Sequence, residues 1–227
     1  MKKLVALTGA GVSAESGIHT FRDTGGLWEG HDVMEVASPE GYAANPALVL
    51  EFYNQRRKQL LEVTPNKGHF NLARLENYFD VKIITQNVDD LHERAGSNSV
   101  IHLHGELLKA RSSIDTNDVL DWRKELVLGD LCCKKSQLRP HIVWFGEKVP
   151  LFEKAIKITQ NADILIIIGT SMQVYPAASL MGYVKPNTPI YFIDPKPTIL
   201  ESDFNNLTII TEDASSGTDT LFNYLKD

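Results

Sequence analysis

The feature that most constrains this chain is a short apolar run that ends in a glycine turn. Leu4-Val5-Ala6-Leu7-Thr8 passes directly into Gly9-Ala10-Gly11-Val12-Ser13-Ala14. An apolar run that does not alternate is what a strand buried on both faces requires. Small residues straight after such a strand let the backbone approach a phosphate, and a following helix N-terminus offers N–H donors. The segment fits G-x-G-x-x-A, a form of the dinucleotide-binding fingerprint. A tight strand-to-helix turn with no ligand carries the same pattern, and the position after a strand favours nucleotide binding.

Similar runs recur at Val81 to Thr85, Val100 to Leu103, Ile164 to Ile168, Ile190 to Ile193 and Leu207 to Ile210. Segments of helical spacing lie between them, at Pro46 to Glu62, Lys67 to Tyr78, Leu151 to Asn161, Pro176 to Tyr183 and Gly217 to Leu225. Alternating strands and helices predict an α/β fold, a Rossmann-like doubly wound parallel sheet. Two stretches break the rhythm. Ile18 to Asn45 carries Gly25-Gly26 and little periodicity, which suits a mobile loop beside the first turn. Arg111 to Arg139 is more polar and reads as a second, smaller inserted lobe. The expected division is one unit over 1–227. Its large lobe covers about 1–20, 66–110 and 139–227, and its small lobe and insertions about 21–65 and 111–138.

Composition removes several classes. Hydrophobic residues are 43% and charged residues 23% of the 227, with a net charge of -6. An acidic chain without basic blocks is not built for general nucleic-acid binding. No apolar run approaches the roughly 20 residues of a membrane span. The run after Met1-Lys2-Lys3 stops at Thr8-Gly9, short of a signal-peptide core, so a cytoplasmic protein is expected. The two cysteines, Cys132 and Cys133, are adjacent and form no disulfide framework.

Ligands of open α/β sheets bind beyond the carboxyl ends of the strands. Thr85-Gln86-Asn87-Val88-Asp89-Asp90 and His102-Leu103-His104-Gly105 both follow expected strands and therefore fall there. In an extended strand His102 and His104 share a side. A buried structural histidine and a general base both fit, and imidazole titrates near neutrality as a base requires. No second strand with a ribose-binding acid follows the glycine turn at the dehydrogenase spacing of about 20 residues. That argues against ordinary hydride transfer.

Together these segments resemble the sirtuins, NAD-dependent protein-lysine deacylases. The resemblance is carried by Gly9 to Ile18, Thr20-Phe21-Arg22, Gln86-Asn87-Val88-Asp89, His102 to Gly105, Arg139-Pro140-His141-Ile142-Val143-Trp144-Phe145-Gly146-Glu147 and Gly169-Thr170-Ser171, in family order. It implies NAD as cofactor and acylated protein lysines as substrate. It implies that Gly9, Ala10, Gly11, Ser13, Ala14 and Gly17 hold NAD, with Phe21, Arg22 and Trp28 on the cofactor loop. Gln86, Gly169, Thr170, Ser171, Asp194 and Ala214 would complete the cofactor site. Asn87 and Asp89 would line the nicotinamide pocket, and His104 would be the general base. Val143, Phe145, Gly146 and Glu147 would pair with the substrate peptide as an added strand. The implied products are nicotinamide, free lysine and O-acyl-ADP-ribose. Many family members are monomers.

Tyr53 and Arg56 lie three apart in the expected helix Pro46–Glu62, on one face. From composition alone they belong to a solvated face, beside Gln55, Arg57 and Lys58. Within the resemblance, Tyr53-x-x-Arg56 looks like the acyl-pocket pair of the class III branch. Those members remove succinyl, malonyl or glutaryl groups, and a guanidinium fork suits a carboxylate. Acetyl is then a weaker substrate. The alternatives are a general deacetylase, a sensor that holds NAD or ADP-ribose without turnover, and an NAD glycohydrolase or ADP-ribosyltransferase.

Two departures from the family stand out. Most members hold a structural zinc on two Cys-x-x-Cys pairs. Here Ser112 stands about where the first cysteine belongs, followed by Ser113, Ile114 and Asp115. Four well-placed ligands are needed, so no zinc is expected, and Leu120, Trp122, Leu126 and Leu131 are expected to pack the lobe. Asp194 stands where the family more often has Asn, which bears on NAD affinity rather than on the class of reaction.

Overall fold

The computed structural model describes residues 1–18, 27–28 and 30–226. In chain order the strands are β1 (Lys3–Thr8), β2 (Leu27–Trp28), β3 (His31–Asp32), β4 (Asp80–Thr85), β5 (Val100–His102) and β6 (Gly105–Ser112). They continue with β7 (Val119–Asp121), β8 (Leu138–Ile142), β9 (Ile164–Ile168), β10 (Ile190–Ile193) and β11 (Leu207–Ile210). The helices are α1 (Gly11–Ala14), α2 (Val33–Val36), α3 (Pro39–Ala44), α4 (Pro46–Glu62), α5 (Lys67–Leu75), α6 (Leu91–Arg94), α7 (Phe152–Thr159) and α8 (Ala214–Lys226). The segment Ala177–Tyr183, expected as an α-helix, is wound as a 3-10 helix.

Six strands form one parallel sheet in the order β11-β10-β9-β1-β4-β5. They are the six apolar runs of the sequence. Both faces are covered, which is why the runs do not alternate. Val5 and Leu7 of β1 point into one cluster with Ala155, Ala177 and Leu180. Leu4 and Ala6 point into the other, with Leu72 and Leu75 of α5 and Leu221 of α8. All five residues of β9 are buried. Each fully buried Leu or Ile stabilises the fold by about 1.5–3 kcal/mol.

The register sets up the site. Thr8 lies beside both Thr85 and Ile168, Ile168 beside Ile193, Ile193 beside Ile210, and Thr85 beside His102. The carboxyl ends of all six strands are therefore level. From β1 the chain builds the sheet one way through β4 and β5, and the other way through β9, β10 and β11. The strand order reverses between β1 and β9, where a doubly wound sheet opens its ligand crevice.

The second lobe holds an antiparallel sheet in the order β7-β6-β8. Its core differs from the expected one. Leu126 is fully buried with Leu50, Ala110, Cys132 and Leu138, and Trp122 packs at the margin. Leu120 and Leu131 instead lie on the surface. Two loops of the lobe are tied by side chains: Cys132 Sγ donates to Ser112 Oγ at 3.3 Å, Ser113 and Ser136 share a hydroxyl bond of 2.6 Å, and Lys134 pairs with Asp115 at 2.6 Å. Helices α2 to α4 and β6 meet in a further cluster that includes Val36, Val49, Phe52, Tyr53, Leu107 and Trp144.

Candidate active site

The turn after β1 and the turn after β9 interlock across the point where strand order reverses. Gly9 N–H donates to Ile168 O at 3.0 Å, and Gly11 N–H to Gly169 O at 2.8 Å. A Cβ on Gly11 would lie 2.6 Å from Gly169 Cα, and one on Gly9 would lie 2.8 Å from Gly169 O. Gly169 itself has φ +63. These glycines are thus required first by the contact between two loops. The expectation of a helix N-terminus with open donors is corrected here. Helix α1 is a single turn, and the amides of Val12 and Ser13 bond to Gly9 O and Ala10 O. Ala14 and Gly17 are exposed at the end of the turn, where Gly17 O accepts from Gln59 Nε2 at 3.1 Å.

The other expected cofactor residues line the same edge. Gln86 Nε2 donates to Thr170 Oγ1 at 3.1 Å, which joins the end of β4 to the turn after β9. Ser171 O accepts from Thr198 Oγ1 at 3.0 Å. Asp194 follows β10, is 2% exposed, and accepts from Lys196 N–H at 2.8 Å. Ala214 is buried at the start of α8 against Gly68. Phe21 and Arg22 lie outside the described residues, and Trp28 pairs through its backbone with His31 in the β2–β3 hairpin.

A buried polar network centres on Ser13. Its hydroxyl donates to Asp89 Oδ2 at 2.9 Å and accepts from Asn87 Nδ2 at 3.0 Å. Asp89 Oδ1 accepts from Leu91 N–H at 3.1 Å. Burial pushes the Asp89 carboxyl up, and the bonds from Leu91 and Ser13 offset part of that. Sequence reasoning missed His69, whose Nε2 is 3.4 Å from Ser13 Oγ. Its Nδ1 accepts from Asn66 N–H in the capping box of α5, so Nε2 carries the proton toward Ser13. Burial lowers the His69 pKa to about 4 and keeps the ring neutral. His92, also unforeseen, packs edge-on against His69 at 4.9 Å and meets Thr8 Oγ1 at 3.0 Å.

His104 is half-buried beside this network. Its Nδ1 lies 3.0 Å from Gln86 O. A carbonyl only accepts, so Nδ1 holds the proton and Nε2 keeps a lone pair. Burial pushes its pKa below the ordinary value, against the Gln86 bond. The geometry yields a neutral base with a fixed tautomer.

On α4, Tyr53 is fully buried and its hydroxyl accepts from Trp144 Nε1 at 3.0 Å. Arg56 is half-buried, with its guanidinium carbon 5.5 Å from the Phe52 ring centre. Arg57, expected on a solvated face, is 1% exposed. It donates from Nε to Leu107 O at 3.2 Å and from Nη1 to Asn54 Oδ1 at 2.7 Å, and burial lowers its pKa to about 10.

The segment after β8 is anchored by its own amides. Val143 N–H bonds to His104 O at 2.8 Å, Phe145 N–H to Ala37 O at 2.9 Å, and Glu147 N–H to Trp144 O at 3.0 Å. The Glu147 carboxylate accepts from Trp144 N–H, Arg111 and Arg139. Val143, Phe145, Gly146 and Glu147 thus lie in a turn tied to the protein, with Gly146 at φ 89. Phe145 is exposed on it. Among the described residues, no group of three His, Cys, Asp or Glu side chains is placed to share a metal ion.

The model of the Sir2 family matches residues 9–176 of the chain. A Helicobacter pylori strain J99 protein named NAD-dependent protein deacylase is 64% identical over 196 residues, 86% of this chain and 84% of that one. A Bacteroides thetaiotaomicron protein of the same name is 53% identical over 227 residues, covering 97% of each chain. Among solved structures, a complex of a Sir2 homologue with NAD superposes with a TM-score of 0.88 at 41% identity, over 99% of this chain and 90% of that one. A complex of a Sir2 homologue with ADP-ribose gives 0.89 at the same identity. The matched span holds the interlocked glycine turns, the Ser13–Asn87–Asp89 network and His104, and the chain belongs to the Sir2 family.

Proposed function

We propose that this protein removes acyl groups from protein lysines at the expense of NAD, and that it prefers acidic acyl groups, succinyl or malonyl, over acetyl. The observation that carries the reaction is the fixed tautomer of His104 beside the Asn87–Ser13–Asp89 network, at the crevice where the sheet reverses. The names of the Helicobacter and Bacteroides relatives support the same reading.

The residues fit NAD. Buried polar side chains flank the crevice, with Asn87 and Asp89 on one side and Gln86 bonded to Thr170 across its floor. The turn from Gly9 to Gly17, Gln86, Thr170, Ser171, Asp194 and Ala214 would hold the dinucleotide. Bound there, NAD supplies a ribose carbon open to attack and nicotinamide as the leaving group. Asn87 and Asp89 hydrogen-bond the nicotinamide side of the crevice. His104 Nε2 takes a proton from a ribose hydroxyl, and its neutral state at pH 7 suits that role. Burial around the network keeps stray water from the reacting carbon.

Acyl preference rests on Tyr53 and Arg56. An arginine fork binds a carboxylate through paired N–H bonds, and a phenol adds a further bond. Trp144 holds the Tyr53 hydroxyl in place. Phe145, exposed on the neighbouring turn, offers an apolar contact for the peptide.

The lobe does not fit a structural zinc. Cys132 is buried and spends its thiol on Ser112, while Cys133 is exposed beside Asp118. We infer a metal-free lobe. Nicotinamide release from NAD, with and without a succinyl-lysine peptide, tests the assignment. The expected result is release that needs the peptide and disappears in His104→Ala. Release that is the same without peptide would mean a glycohydrolase, and none from folded protein would mean a sensor.

A further inference from the structure

His102 is buried two residues before the base, and both of its ring nitrogens face acceptors. Nδ1 lies 3.1 Å from Asn87 O, and Nε2 lies 2.7 Å from Glu93 Oε1. A carbonyl and a carboxylate can only accept, so both nitrogens donate and the ring is an imidazolium. His104 bonds Gln86 O in the same way. His102, the last residue of β5, and His104, two residues beyond it, thus grip consecutive carbonyls of the loop that carries Gln86, Asn87 and Asp89. His102 also joins that loop to α6 through Glu93.

We propose that His102 is a positioning residue, a charged clamp that holds Asn87 in place through its main-chain oxygen and releases it when the ring loses a proton at alkaline pH. Removing either ring proton leaves a lone pair facing an oxygen, and one side of the clamp becomes repulsive. The side chain is 7% exposed, so water does not readily replace the lost bond. The groups around it favour the charge. Burial alone would lower the His102 pKa, but the bond and charge of Glu93, the bond to Asn87 and the charge of Glu106 on β6 raise it. Asp89 in the loop also feels the His102 charge, as does His92 on α6, while Lys109 acts on Glu93.

The activity arm of the test rests on the deacylase reading above; the spectroscopic arm does not. The variant is Glu93→Gln, which keeps an acceptor and removes the charge at a side chain 41% exposed. Ring NMR of the full chain follows His102 against pH, and acyl-dependent nicotinamide release gives the pH profile. In the wild type His102 should titrate above the ordinary histidine range. In Glu93→Gln its titration and the alkaline limb of kcat should fall together, by about one pH unit, while the acid limb of His104 stays put. A His102 that titrates at the ordinary value, or an alkaline limb that stays fixed while His102 shifts, would overturn the proposal. If neither protein shows acyl-dependent release, the deacylase reading fails, and the NMR titration alone decides whether the charged clamp exists.

Discussion

The main-chain oxygen of Gln86 lies 3.0 Å from His104 Nδ1, and that contact decides which nitrogen of the ring keeps its lone pair. With Nδ1 donating, Nε2 alone can accept a proton. Burial lowers the His104 pKa, so the neutral ring persists below the usual histidine range. Activity that depends on the unprotonated ring should rise with pH, with its midpoint below about 6.5, the ordinary value. A pH profile of kcat/KM checks this. An acid limb centred above that value would contradict the assignment.

The interlocked turns make a second prediction. Gly11→Ala would push a methyl to 2.6 Å from Gly169 Cα, where backbone on both sides prevents retreat. Overpacking of this kind costs about 1–3 kcal/mol. For a chain of this size the melting temperature should drop by about 2–4 °C per kcal/mol. Gly182→Ala is the control, since nothing lies within 4 Å of its added Cβ. Equal melting temperatures for the two variants would contradict the packing account.

Glu147 holds two guanidiniums whose side chains are only 8% and 10% exposed, those of Arg111 and Arg139. Glu147→Gln removes the charge and leaves both cations facing a neutral amide. Removing one partner of a buried pair costs about 3–5 kcal/mol. Glu147 is 22% exposed, so the lower end is expected. Burial alone would raise its pKa, but the Arg139 and Trp144 bonds and both arginine charges lower it. A lowered carboxylate pKa contributes stability above the unfolded value and loses it as pH falls through the folded one. Denaturant melts from neutral to acid pH should therefore converge for wild type and Glu147→Gln. A gap that persists at the acid end would refute the charge assignment.

Removal of metal should change nothing. The described residues hold no cluster of metal ligands, and Cys132 is bonded to Ser112. Dialysis against a zinc chelator is expected to leave melting temperature and activity as they were, with no zinc by elemental analysis. A stoichiometric zinc whose loss unfolds the lobe would contradict this.

Much of this was legible in the sequence, for physical reasons. Strands buried on both faces must be apolar throughout, so Ile164 to Ile168 and its five counterparts stood out. The level strand ends did not, because register depends on pairing and not on any one run. His69 was hidden because its spacing after Asn66 reads as an ordinary helix start. Arg57 was misjudged because charge usually marks surface; here Leu107 O and Asn54 Oδ1 satisfy it inside. Leu120 and Leu131 were misjudged the other way, since short lobe strands leave apolar residues uncovered.

In the function proposed for this chain, Arg56 selects acidic acyl groups for NAD-dependent removal. Nicotinamide release with matched succinyl-lysine and acetyl-lysine peptides, for wild type and Arg56→Met, tests it most directly. A lower KM for succinyl-lysine is expected in the wild type, lost in Arg56→Met, with acetyl-lysine turnover retained. Preference for acetyl-lysine in the wild type, unchanged by Arg56→Met, would contradict it and leave a general deacetylase.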